Sequence, residues 1–136
     1  MSEIFSVALS GMRDSVLRIR NAVTNIVNAS STSRLPSSPQ EAAVMFQPKD
    51  AVTLSQEGGN QALGVTSVLI DRDPAYRVVA GGSSPLANEE GLIAEPNVDL
   101  ASEIVATKMA ELTYKANAAV IKAVKENDEK LFDALV

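Results

Sequence analysis

The chain contains no cysteine, no histidine and no tryptophan. A disulfide framework, a thiolate or imidazole metal site, a cysteine nucleophile and a histidine-based triad are therefore excluded. Aromatic residues are scarce: Phe5, Phe46, Tyr76, Tyr114 and Phe132 are all there are. No segment approaches the roughly 18 consecutive apolar residues that a membrane-spanning helix requires. Positive charge is in deficit, with 12 Lys+Arg against 17 Asp+Glu and a net charge of -5. The basic excess that marks nucleic-acid or anionic-membrane binding is missing, so protein partners are expected. No cofactor and no small-molecule substrate are expected either. Glu3 stands where a secretory signal carries positive charge, and the apolar run Ile4 to Leu9 is interrupted by Ser6, so no cleavable signal peptide is expected.

What is present is 136 residues, 46% of them apolar, drawn from Ala, Val, Leu, Ile and Met. That mixture suits helices. All six prolines lie between Pro36 and Pro96, and every glycine except Gly11 falls between the same limits. Because proline and glycine break helices, the chain divides into a helical arm (1–30), a linker with a small β-rich middle (31–97) and a second helical arm (98–136). The fold class expected is α+β, with the long terminal helices pairing as a coiled coil.

In the first arm Phe5, Leu9, Met12, Val16, Ile19, Val23 and Ile26 recur at spacings of four and three, a heptad seam sustained over three heptads. In the second arm Asn97 or Asp99 can cap the helix start, and Val98, Val105, Met109, Leu112, Ala116, Ala119 and Ala123 fit a second seam. Glu111 with Lys115 and Glu126 with Lys130 are expected as i,i+4 pairs. The alanines allow close approach of a partner helix, and the first arm is the evident partner. Burying one seam does not offset the entropy of ordering a whole arm, so complete ordering is expected only when several subunits pack together. Asn25, Asn28 and Asn117, with Tyr114 beside the last, are the candidate polar contacts that set register; the alternative is that these asparagines simply face solvent.

In the middle, Ala42–Phe46, Ala51–Leu54, Leu63–Ile70 and Tyr76–Ala80 read as short strands, separated by Pro48, Gly58-Gly59-Asn60 and Asp73-Pro74. Residues 28–40 and 81–96 read as exposed linkers. Asp50, Asp71 and Asp73 form a solvated acidic face and an Asp-Pro turn in preference to a metal site. The Gly-Gly pairs lack the Lys-Ser/Thr of a phosphate loop.

Two stretches resemble a known family. Phe5-x-x-Ala8-x-Ser10-Gly11-Met12, followed by Asn25-Ile26-Val27-Asn28 and Ser31-Thr32, is similar to the N-terminal signature of bacterial flagellar axial proteins. Gly91-Leu92-Ile93-Ala94-Glu95-Pro96-Asn97-Val98-Asp99, then Glu103-Ile104-Val105 and Tyr114-Lys115-Ala116-Asn117, resembles the C-type basal-body rod proteins, subunits of the proximal rod. Val27 replaces a usual alanine, and Glu95 a usual aromatic. The resemblance implies a non-enzymatic structural subunit of the basal body, exported through the flagellar type III apparatus. Its implied partners are copies of itself, other flagellar rod proteins and the basal membrane ring, and its implied role is torque transmission. Two alternatives stay open at this point: another flagellar axial subunit, or a soluble coiled-coil adaptor or export chaperone.

Overall fold

The computed structural model describes residues 2–42, 44–58 and 61–135. A long helix α1 (Ser2–Asn28) leads to a one-turn helix α2 (Pro39–Ala42), then to strands β1 (Lys49–Gly58), β2 (Gln61–Asp71), β3 (Tyr76–Ala80) and β4 (Leu92–Pro96), and to a second long helix α3 (Leu100–Asp133). β1 pairs with β2, and β3 pairs antiparallel with β4, Tyr76 opposite Pro96 and Ala80 opposite Leu92. The fold is α+β, with long terminal helices flanking a small β middle. No described helix is long and apolar enough to cross a membrane.

Contacts gather in two compact units, one of residues 1–20, 51–68 and 106–136, the other of residues 21–50 and 69–105. In the first unit α1 packs on α3 with Gly11 against the side chain of Asn117. The β1–β2 hairpin lies against another face of α1. Ser10 accepts the Val65 amide at 3.0 Å, and Gly64, at φ 102°, comes so near that any Cβ would overlap the Ser10 hydroxyl. Only glycine tolerates that conformation and that approach.

In the second unit β3 and β4 carry the core. Ile93, Ala94, Pro96 and Val98 are buried, and Ser33 forms an isolated bridge to Ala94 with both hydrogen bonds at 2.9 Å. The Arg77 guanidinium pairs across the strands with Glu95 at 3.2 Å.

Several sequence expectations need correction. Ala42–Phe46 is not a strand: Ser38 accepts the Glu41 amide and Glu41 accepts the Ser37 amide, a cap that starts helix α2 at Pro39, and a turn follows at Val44. Ala43, inside that stretch, and Gly59-Asn60, where a turn was expected, lie outside the described residues. The stretch 81–96 is not all linker, because its last five residues are β4. Nor is 28–40 uniformly free, since Ser33 is tied to Ala94. At the head of α3 it is Asp99 that caps, accepting the Ala101 amide and the Ser102 hydroxyl, while Asn97 bonds Ala75 and Pro74. Glu111 pairs with Lys115 at 2.7 Å and Lys108 at 3.1 Å, but Glu126 turns to Lys122 at 3.6 Å, the lysine four residues earlier.

Candidate functional site

The heptad spacing of α1 is real, but the stripe that is buried is not the stripe of large side chains. Ala8, Gly11, Ser15, Ala22 and Asn25 are buried, and they sit one residue before Leu9, Met12, Val16, Val23 and Ile26. Small residues at these positions let a second backbone come close, which larger ones would prevent. On α3 the corresponding inward stripe is Glu103, Thr107, Ala110, Asn117, Ile121 and Val124, again at heptad spacing with Tyr114 between. Among the described residues no leucine, methionine or phenylalanine is buried; the buried apolar side chains are four alanines with Pro48, Pro96, Ile93 and Val98.

The large seam residues other than the buried Val98 consequently stay partly or largely exposed. Phe5 is 45% exposed and Val23 equally so, while Leu9, Met12, Val16, Ile19 and Ile26 are half-buried. On α3, Val105 is 61%, Met109 54% and Leu112 63% exposed, and Ala116 and Ala119 are exposed as well. Leu9, Met12, Arg13, Val16, Leu17 and Arg20 of α1 line a shallow groove together with Tyr114 of α3.

The polar residues divide. Asn25 is 1% exposed and fully used: its amide donates to the Lys49 carbonyl at 2.9 Å and to Glu103 Oε1 at 3.0 Å, and its oxygen accepts the Lys49 amide at 3.2 Å. Asn28 and Asn117 bond the carbonyls of Thr24 and Thr113 in their own helices. Asn117 nevertheless lies in the helix contact, against Gly11.

Sequence reasoning missed Arg72, which organises the second unit. Its guanidinium holds Asp50 Oδ1 from both Nε and Nη2, donates to the Asn97 carbonyl at 2.9 Å, and reaches Glu103 Oε1 at 2.8 Å. The bond to Asp50 raises its pKa, with burial opposing and Glu103 assisting. Asp71 pairs with Lys49. Asp50 and Asp71 are thus each paired with a cation, and among the described residues no three acidic side chains converge as metal ligands. In the first unit the buried Asp14 carboxylate accepts the hydroxyls of Thr53 (3.2 Å) and Ser67. Single charged residues more than 20 positions apart carry no spacing signal, so only the fold exposes these clusters.

Both clusters are fully bonded scaffolding, and the unsatisfied surface is apolar. No protein-family model matches the chain. It is 33% identical over 122 residues to the flagellar basal-body rod protein FlgC of Salmonella typhimurium, a match covering 90% of this chain and 88% of that protein. It is similarly 32% identical over 124 residues to FlgC of Yersinia enterocolitica and 31% over 122 residues to FlgC of Escherichia coli O157:H7, with the same coverage. Small-residue helix pairing inside, large apolar stripes outside and this near-full-length identity lead to one assignment: the chain belongs to the FlgC family of flagellar basal-body rod proteins.

Proposed function

We propose that the chain is a structural, non-enzymatic subunit of the proximal rod that polymerises through its terminal helices and transmits motor torque along the basal body. The observation that carries this reading is the outward set Val105, Met109 and Leu112 on α3 together with Phe5 and Val23 on α1. Full burial of such side chains contributes about 1.5–3 kcal/mol each, so neighbouring subunits that cover them supply the core the single chain lacks. Packed side chains in such seams resist sliding, because dense interiors do not deform continuously. The partners are copies of this chain, other rod proteins and the basal membrane ring. Delivery is through the flagellar type III export apparatus without signal cleavage.

The test is mass spectrometry of basal bodies purified from the bacterium that encodes the chain. Its presence in preparations stripped of filament and hook supports the reading. Its absence from them, with the other rod proteins present, overturns it.

A further inference from the structure

Asp14 is a buried anion whose charge its own chain does not balance. The residue is 6% exposed, and its hydrogen bonds come from two neutral hydroxyls, that of Ser67 and that of Thr53 at 3.2 Å. Among the described residues no lysine or arginine forms an ion pair with it, although Arg18 follows one helical turn later. The carboxylate is thus hydrogen-bonded but not charge-paired, and burying an unpaired charge is costly. The Arg72 cluster differs, since there Asp50 and Glu103 share one guanidinium.

Asp14 also lines a cavity of about 310 Å³, shared with Ser10, Arg13, Leu17, Gln56 and Ser67, at the small end of the range for ligand sites. Arg13 does not serve as the missing cation. It is exposed, and side chains of consecutive helix residues diverge by about 100°. Its guanidinium on the same lining opposes capture of a small free cation, so the charge that reaches Asp14 has to be held in place by a docked protein surface. We propose that this cavity receives a lysine or arginine side chain from a neighbouring rod subunit, whose positive charge pairs with the Asp14 carboxylate. An ion pair completed only between subunits offsets the cost of burying Asp14 at assembly and not at folding. The inference rests on the rod reading and specifies one contact within it.

Gln56→Lys supplies the cavity with a cation from its own chain. It is expected to raise the melting temperature of the monomer by pairing with Asp14, and to lower incorporation into basal bodies several-fold by displacing the incoming side chain. Asp14→Asn keeps an acceptor for the hydroxyls and removes the charge; it is expected to melt no lower than the wild type and to be incorporated several-fold less. A photoreactive benzophenone residue in place of Thr66, also on the cavity lining, is irradiated in isolated basal bodies and the product identified by mass spectrometry. The cross-linked segment is expected to carry a lysine or arginine whose change to Gln lowers incorporation, and lowers it no further in the Asp14→Asn background. Normal incorporation of either charge variant overturns the inference, as does a cross-linked segment with no such cation, and both results leave the rod reading standing. Absence of the wild-type chain from basal bodies would overturn the rod reading and the inference together.

Discussion

A Cβ on Gly11 would lie 2.6 Å from Nδ2 of Asn117 and 2.9 Å from its Cγ, so the terminal helices touch here only because position 11 has no side chain. In an exposed helix, Gly→Ala gains up to about 1 kcal/mol. Gly11→Ala is expected to do the opposite and cost about 1–2 kcal/mol, since the Asn117 amide is held by the Thr113 carbonyl. In an Asn117→Ala background the overlap disappears and the same substitution should become stabilising. Urea denaturation of the four chains measures the sign change, and additive effects would rule out the contact.

Gly64 makes a related prediction for the hairpin. Alanine there meets both a φ of 102° and the Ser10 hydroxyl, which already bridges Val7 and Val65. Gly64→Ala is expected to destabilise by about 2 kcal/mol or more. Gly82, at φ 53° with nothing within 4 Å of a Cβ, offers the contrast, and Gly82→Ala should cost no more than about 1 kcal/mol.

Arg72 joins Asp50, Glu103 and the Asn97 carbonyl, and Glu103 is bonded in turn by the buried Asn25. Arg72→Met takes a charged donor from the Glu103 carboxylate, 6% exposed, and from Asp50. A loss of about 2–4 kcal/mol is expected, somewhat below a fully buried pair because Asp50 remains half in solvent. Combining it with Glu103→Gln should cost clearly less than the two single losses added, which thermal melts can read.

The head of α3 should respond to acid. The Ser102 hydroxyl first, and the Ala101 amide next, hold the Asp99 carboxyl below its usual range. Lys115 and then Lys108 do the same for Glu111. A depressed folded-state pKa means stabilisation that is complete above the ordinary carboxylate pKa and lost as pH falls through the folded value. Helix content followed by circular dichroism should therefore decline on the acid side only. Asp99→Asn keeps a good capping side chain and is expected to flatten that decline while leaving neutral-pH helicity nearly unchanged.

Much of this architecture is legible in the sequence, and the misses have physical causes. The heptad period of α1 and the proline-bounded middle follow from local rules, which also narrow the α3 cap to Asn97 or Asp99 without choosing between them. The choice of buried stripe does not follow from hydrophobicity. Counting large side chains selects Leu9, Met12 and Val16, whereas close helix approach selects Ala8, Gly11 and Ser15 one position earlier. Strand β4 is hidden because Leu92, Ile93 and Ala94 are too few to set a period before Glu95 and Pro96. The helix at Pro39 was available in Ser38-Pro39-x-Glu41, an N-cap pattern followed by apolar residues that mimic a strand.

The exposed stripe on α3 should be neutral to folding and decisive for assembly. Leu112→Asp is expected to change monomer stability by no more than about 0.5 kcal/mol, because Leu112 is 63% exposed. Swarming on soft agar should nevertheless be lost, with the variant present at normal levels in the cell. Normal motility would show that this stripe is not covered by a neighbour.

The central claim, that the chain is an indispensable rod subunit, is tested most directly by deleting its gene in its own host and imaging the basal bodies by electron microscopy. The account predicts membrane rings without rod or hook, restored by the wild-type chain. Complete rods and hooks in the deletion strain would contradict it.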